Sequence, residues 1–518
     1  MAIIDFYDRG WLINPTGSAY IQDGRAYTYD EVGELSCRIA NSLLALSLPK
    51  ETKGAIWAGN DVTAWACTLG LWRANMTWLP VNARNSAQDN HYILESFDCD
   101  VMFYQRDFEA VIAELRPSLP KIKHWVCIDA QAPDALSLEQ WTAGAASTRP
   151  EVSYDMDDVV MLSPTGGTTG MPKGVMNTHR STQTFIAHYM LACRYGADER
   201  PVNLAAAPMT HTAGLLSMPC TGQGGTVVVV SKPEPALIFN AIAQHRVTEF
   251  FLPPTVIYKL LEIPGIEEID MSPVKYLMYG AAPMSVDKLK KAIEIWGPIM
   301  AGGYGQTEAP AGIANLPPDH HFVNGQLAPD ERLSSVGRPN PLIRVELMNE
   351  DNEILPRGET GEICVRGDLV MKGYYKQPDK TAETIVDGWL RTGDIGHLDA
   401  QGYLHITDRK KDMIISGGFN VYPSEVEQVI WSHPAVQDCA VIGVPDDKWG
   451  EAVKAVIELN PGQSVTPEEI IALCKEKLGS VMAPKTVDFV PSLPRSTVGK
   501  VLKKDLREQY WQNSGRKV

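Results

Sequence analysis

Short apolar runs alternating with helical patterns constrain the fold of this chain more than any other feature. Gly54-Ala55-Ile56-Trp57 and Val101-Met102-Phe103-Tyr104 read as buried strands, with helical patterns between and around them. The rhythm returns at Asn203–Pro208, Thr226–Val230, Glu249–Leu252 and Tyr276–Tyr279. Such alternation predicts an α/β fold of layered sheets with much parallel pairing. At 518 residues the chain is too long for one core, so two or more domains are expected.

Local signals fill in the order of the chain. Ala19–Tyr27 reads as a hairpin turning at Asp23-Gly24. Thr28 and Glu31 form a capping box that opens a helix with Val32, Leu35, Ile39 and Leu43 on one face, ending before Pro49. From about residue 335 the character becomes β-rich, with strands at 344–347, 361–366 and 402–406. After Asp408-Arg409-Lys410-Lys411-Asp412 a compact α+β pattern begins. Ser424 with Glu427 reads as one helix cap, and Thr466, Pro467 and Glu469 as the start of another helix. A strand over Thr486–Val490 precedes the loop 494–500. The predicted organisation is a large N-terminal domain over 1–410, with a β-rich subdomain at about 335–408, and a small C-terminal domain over 411–518.

Composition narrows the function classes. Apolar residues make up 44% and charged residues 21%, as in ordinary soluble proteins. With 47 basic against 63 acidic residues the net charge is −16, which argues against a surface built for nucleic acid or anionic lipid. The N-terminus carries acids rather than a basic segment followed by a long apolar one, so no secretory signal is read. The tightest apolar run, Val227–Val230, suits a buried strand and not a membrane span. Nine scattered cysteines without a Cys-x-x-Cys pair fit reduced thiols rather than a disulfide frame or zinc site. A soluble cytoplasmic protein is expected; a homodimer is compatible with the sequence, which does not fix the oligomeric state.

The most informative stretch is Thr165-Gly166-Gly167-Thr168-Thr169-Gly170-Met171-Pro172-Lys173-Gly174, which follows the strand-like run Val159–Leu162. Glycines let successive N–H groups face inward as an anion nest, threonines add hydroxyl donors, and the lysine adds positive charge. A polyphosphate is the natural ligand, and a flexible glycine-rich turn is the alternative. A Walker loop is excluded, because Lys173 lies between Pro172 and Gly174 instead of preceding Ser or Thr.

Further motifs follow in order: Gly302-Gly303-Tyr304-Gly305-Gln306-Thr307-Glu308, Arg391-Thr392-Gly393-Asp394, Asp408-Arg409-Lys410-Lys411-Asp412, and a late Gly499-Lys500. Together with the glycine-rich loop, this set resembles the adenylate-forming superfamily of acyl-CoA synthetases, adenylation domains and firefly luciferase, over roughly residues 20–505. The resemblance implies an AMP-forming acid–thiol ligase that uses ATP, Mg²⁺ and coenzyme A on a small carboxylic acid. It places the ATP phosphates in loop 165–174, at Thr165, Gly166, Gly167, Thr168, Thr169, Gly170 and Lys173. Thr307 would contact the α-phosphate region and Glu308 would hold Mg²⁺. Gly280, Ala281, Ala282, Gly303, Tyr304 and Gly305 would border the adenine, Asp394 would take both ribose hydroxyls, and Ile406 and Arg409 would lie beside the nucleotide. Lys500 matches the catalytic lysine and Lys411 the hinge; Gly417, Gly418 and Phe419 would be brought in for the thiol step.

For the acid, the resemblance points to Met209, Thr212, Ala213, Ser217 and Gly302, with His211 at the mouth; a packed histidine is the alternative there. Ala213, Gly214 and Gly302 stand where relatives acting on hydroxycinnamates place bulkier residues. Missing wall volume predicts a wide pocket for a bulky or long hydrophobic acid (fatty, aryl, alicyclic or a steroid side chain), with neighbouring side chains filling the space as the alternative. Two departures accompany the match. Gly166 replaces a frequent serine, and Gly417 a lysine found in some relatives. An enzyme that loads a carrier-protein phosphopantetheine, and a non-catalytic acyl or nucleotide sensor, remain alternatives.

Overall fold

Buried β-branched and aromatic runs set the sheets of this chain. The computed structural model describes residues 1–165, 172–210, 212–409, 412–446, 448–496 and 500–511, with Thr212 in backbone only. In the first sheet, of nine strands, Ser18–Gln22, Thr226–Val229, Val202–Ala205, Glu249–Leu252, Tyr276–Tyr279 and Met300–Gln306 lie side by side and parallel. Antiparallel strands close both edges, Arg25–Thr28 on one side and Ala309–Leu316 with Arg338–Pro339 on the other. The hairpin at Asp23-Gly24 is present, with φ of 50° and 77° at its two central residues. That left-handed pair is what a two-residue turn between twisted strands requires.

The second sheet has eight strands. Val159–Thr165, Thr77–Asn82, Lys53–Ala58, Val101–Tyr104, His124–Cys127 and Leu136–Ser137 run parallel. Lys173–Thr178 and Gly373–Tyr374 then add antiparallel strands at one edge. Parallel strands covered on both faces become continuously apolar, as the fully buried Val101–Tyr104 shows. Helix Val62–Arg73 is buried on nearly every side, with Asp61 capping its start by accepting from the Ala64 N–H. Its one guanidinium, Arg73, is paired with Asp8 at 2.7 Å. Trp65, Trp72 and Trp78 meet edge to face with centroids 5.6–5.7 Å apart in the largest hydrophobic core.

An antiparallel sheet follows, built from Ile343–Met348, Gly361–Gly367, Trp389–Leu398, Ile385–Val386 and Leu404–Arg409. The last of these strands starts after the expected 402–406 stretch begins, because Gly402 sits in a turn with φ of 80°. The C-terminal part is a small α+β unit with its own core. In its sheet Val436–Asp446 and Gly450–Leu459 pair antiparallel and Thr486–Val490 adds in parallel. Thr466 and Glu469 form the expected capping box. Ser424 and Glu427 do not cap. Pro423 takes the first helical position, so Ser424 already lies inside helix Pro423–Trp431. The Ser424 hydroxyl donates to the Thr407 carbonyl and its N–H to Asp408 at 2.9 Å. Glu427 is buried, accepting from the Val441 N–H and pairing with Lys503, both at 2.7 Å. No helix among the described residues is long and apolar enough to cross a membrane.

Candidate active site

Several of the motif residues gather where the parallel strands of the first sheet end, the usual place for ligands in open α/β sheets. Tyr276–Tyr279 runs directly into Gly280, where a Cβ would come within 2.5 Å of the Gly303 carbonyl oxygen. Only glycine allows the two backbones that close. Ala281 next to it holds φ at 64°, a left-handed conformation that costs energy for a residue with a Cβ. Ala281 is exposed and Ala282 half-buried, so this strained corner faces open space. On the neighbouring strand, Gly305 passes so near Ala311 that a Cβ would lie 2.5 Å from its nitrogen.

Tyr304, on that strand, points its hydroxyl across to the antiparallel sheet and donates to Asp394 Oδ2 at 2.6 Å. Asp394 and Arg409 are direct partners across two antiparallel strands, and Arg409 Nε stands 3.2 Å from Asp394 Oδ1. Asp394 is only 4% exposed. Burial raises the Tyr304 phenol well above its ordinary value, and the Asp394 charge adds to this. Burial pulls the Arg409 guanidinium down, but Asp394, Asp412, Tyr304 and Glu308 outweigh it and the net shift is upward. Three residues from three separate motifs thus share one cluster. Ile406, half-buried, lies on the same strand as Arg409.

A second cluster joins the base of the glycine-rich loop to the turn after Met300–Gln306. Thr165 and Lys173 pair across the base of the loop, and the Thr165 hydroxyl contacts the Lys173 carbonyl at 3.4 Å. Lys173 Nζ lies 4.4 Å from the centre of the Tyr374 ring, and the Tyr374 hydroxyl donates to Glu308 Oε1 at 2.8 Å. Asn177 reaches the Thr307 carbonyl at 3.4 Å. Tyr374 and Asn177 are absent from the sequence reading. The antiparallel pairing of Gly373–Tyr374 with the strand after the loop links positions two hundred residues apart, and local pattern carries no trace of it. Gly166, Gly167, Thr168, Thr169 and Gly170 lie outside the described residues, as do His211 and Lys411 and the side chain of Thr212.

The expected wall of the acyl pocket differs from the sequence reading. A Cβ on Gly214 would fall 2.1 Å from the Met209 carbonyl oxygen and 2.5 Å from the Trp65 ring. One on Gly302 would meet the end of the Tyr279 ring at 3.0 Å and Leu316 at 3.2 Å. Both glycines serve close packing, so the volume their missing side chains would leave is filled by neighbours. The wide-pocket argument from these two positions therefore does not stand. Met209 and Ala213 are buried, and Met209 N–H donates to Asn60 Oδ1 at 2.9 Å. Ser217 is fully buried and donates to the Gly214 carbonyl at 2.6 Å within its own helix.

In the C-terminal unit, Gly417 and Gly418 hold φ of 60° and 84°. The Gly417 N–H donates to the Trp449 carbonyl at 2.8 Å, and a Cβ there would meet the Trp449 ring at 2.4 Å. Phe419 is 59% exposed and Trp449, which the sequence reading missed, 39%. Lys500 is exposed in a loop closed by the bridge between Arg495 and Val501. Its N–H donates to Ser496 Oγ at 3.2 Å. Among the described residues no three His, Cys, Asp or Glu side chains gather as metal ligands.

The chain is similar to known proteins over most of its length. A sequence model of the AMP-binding enzyme family matches residues 12–375, and that of the AMP-binding enzyme C-terminal domain matches 425–500. A medium/long-chain-fatty-acid–CoA ligase of Mycobacterium tuberculosis is 40% identical over 399 residues, covering 74% of this chain and 68% of that protein. A feruloyl-CoA synthase of Amycolatopsis is 33% identical over 500 residues, covering 96% and 97%. The ATP-bound crystal structure of MatB from Rhodopseudomonas palustris superposes with a TM-score of 0.89 at 28% identity, covering all of both chains. The apo structure of the same MatB gives 0.80. A family match over most of the length, joined to a Tyr304–Asp394–Arg409 cluster at the sheet ends, shows that this chain belongs to the AMP-binding enzyme family, the adenylate-forming superfamily that includes the acyl-CoA synthetases.

Proposed function

We propose that this enzyme is an acid–thiol ligase that joins a hydrophobic carboxylic acid to coenzyme A through an acyl-adenylate. The observation that carries the reading is the convergence of Tyr304 and Arg409 on the buried Asp394 carboxylate near the ends of the parallel strands. A carboxylate held by one phenol and one guanidinium still has lone pairs for two ribose hydroxyls. Gly280 and Gly303 bring two backbones together at the strand ends, where the base would lie, and Lys173 stands at the base of the glycine-rich segment that would take the phosphates.

A carboxylate is a poor electrophile, because its charge resists attack and its oxygen does not leave. In the first step the acid's oxygen attacks the α-phosphorus of ATP, the bond to the β-phosphate oxygen breaks, and pyrophosphate departs. Lys500, Thr307 and Lys173 stabilise the charge that builds on the phosphoryl oxygens. Glu308 has one oxygen taken by Tyr374 and a second with no hydrogen bond among the described residues. One carboxylate with no further metal-ligating cluster suits Mg²⁺, which takes few protein ligands and shares the rest with substrate phosphates. When bound, Mg²⁺ would offset the negative charge of the phosphates, with Glu308 as the residue to hold it. In the second step a thiolate attacks the acyl carbonyl, AMP leaves, and the thiol proton passes to solvent.

The same domain cannot serve both steps from one position. The boundary is proposed at 410/411 with Lys411 as hinge, the unit 411–518 turning between steps to exchange Lys500 for the Gly417-Gly418-Phe419 face. The higher likeness to ATP-bound than to apo MatB supports reading the present arrangement as the first-step one. For the acid, the apolar Met209 and Ala213 and the fatty-acid and feruloyl names of the relatives favour a long or aromatic hydrophobic chain. Mass spectrometry of products from ATP, coenzyme A and a mixed acid library tests this: acyl-CoA, AMP and pyrophosphate are expected. A preference for acetate or propionate removes the hydrophobic-acid part. Products formed only with a holo carrier protein assign the thiol to that partner, and absence of pyrophosphate exchange with every acid makes the chain a sensor.

A further inference from the structure

Lys173 and Glu308 carry opposite charges on either side of Tyr374, and they form no ion pair with each other. Tyr374 stands between them, donating its hydroxyl to Glu308 Oε1 at 2.8 Å and offering its ring face to Lys173 Nζ at 4.4 Å. The ring is held from several sides. Gly373 and Tyr374 pair with Met176 and Val175 on the strand leaving the glycine-rich loop. The Tyr374 N–H donates to Thr381 Oγ1 at 2.9 Å, and Gly373, with φ of 146°, passes so near Thr381 that a Cβ would meet its methyl at 2.7 Å. Next to it, the Met371 N–H donates to the Glu308 carbonyl at 2.8 Å. Tyr374 is 5% exposed.

We propose that Tyr374 is a positioning residue that keeps Lys173 and Glu308 apart, so that both charges stay open to the polyphosphate. An ammonium and a carboxylate able to reach each other would pair, and a nucleotide would first have to break that pair. The hydroxyl fixes the direction of the carboxylate. The ring face gives the ammonium a resting place that is weaker than a phosphate, so it releases the lysine when ATP arrives. The proposal rests on the acyl-adenylate reading above and adds a residue that this reading does not assign.

Tyr374→Phe keeps the ring and removes only the hydroxyl. The account expects ATP–pyrophosphate exchange to fall about tenfold, ATP binding measured by calorimetry to weaken, and thioester formation from supplied acyl-AMP to stay at the wild-type rate. Because the hydroxyl acts through Glu308, the double variant Tyr374→Phe/Glu308→Gln should be no worse than Glu308→Gln alone. Exchange unchanged in Tyr374→Phe, additive losses in the double variant, or an equal fall of both half-reactions together with the unfolding midpoint would each overturn the proposal. The wild-type protein is the control. If it shows no exchange with any acid, the acyl-adenylate reading itself fails; normal wild-type exchange beside an indifferent Tyr374→Phe removes only the role of Tyr374.

Discussion

Asp394 carries more of the account than any other side chain, because its carboxylate is nearly buried and is shared by Tyr304 and Arg409. Asp394→Asn keeps the shape but removes the charge that both partners face. A hydrogen bond to a charged group contributes about 1.5–3 kcal/mol, so KM for ATP should rise at least about tenfold, while the thiol step from supplied acyl-AMP changes less. Initial-rate kinetics at varied ATP checks this, and an unchanged KM would remove Asp394 from the nucleotide site. Gly214 tests the corrected view of the acyl wall. With its would-be Cβ only 2.1 Å from the Met209 carbonyl oxygen, Gly214→Ala should destabilise the fold by about 1–3 kcal/mol, read as a lower urea midpoint. A stable Gly214→Ala with a narrowed acid range would show that the space is open after all.

At the scale of elements, the N-terminal helix Ile4–Ile13 is anchored through a histidine that must be neutral. His179 Nδ1 accepts from the Ile3 N–H at 3.0 Å, and its Nε2 stands 3.1 Å from Asn75 Oδ1, which requires the proton on Nε2. Burial is the main cause that brings this imidazole down from 6.5 to about 4, with Asp158 opposing. The unfolded chain therefore binds a proton between these values that the folded chain refuses. The contribution is complete above about pH 6.5 and is lost as pH falls through about 4, worth on the order of 3 kcal/mol. Urea midpoints across pH 7 to 4 should fall more steeply for the wild type than for His179→Gln; parallel curves would contradict the assignment.

The elements also show what a sequence reveals and what it hides. Glu249–Leu252, Tyr276–Tyr279 and Thr486–Val490 match their expected spans: the first two are mostly apolar runs that end at Pro253 and Gly280, and the third ends at Pro491. Capping at Thr28 and Thr466 depends on residues three apart and is equally visible. Ser424 misleads because Pro423 starts its helix one residue early, and its hydroxyl then finds a partner across the chain at Thr407. Tyr374 and Trp449 owe their places to contacts between distant segments, which no local pattern records. Glycines are the most ambiguous signal: at Gly214 and Gly302 the missing side chain makes room for a neighbour, not for a ligand.

At the scale of the whole molecule, the proposed mechanism has two units serve one site in turn. Among the described residues, the side-chain hydrogen bonds between them include Ser424 to Thr407, and Gln428 to the Met284 carbonyl at 3.2 Å, beside the Ser424 N–H to Asp408. Such contacts can be remade in another orientation without exposing a large apolar surface. Lys500→Ala should therefore abolish ATP–pyrophosphate exchange yet convert supplied acyl-AMP to thioester at near the wild-type rate, since Lys500 serves only the first orientation. Equal loss in both assays would mean that one arrangement does all the chemistry. The central claim, that an acid's own oxygen attacks the α-phosphorus, is tested most directly by isotope transfer. With ATP, coenzyme A and an acid labelled with ¹⁸O in both carboxylate oxygens, mass spectrometry should find one ¹⁸O in each AMP released and one in the thioester. AMP free of label, or label appearing in inorganic phosphate beside ADP, would contradict it.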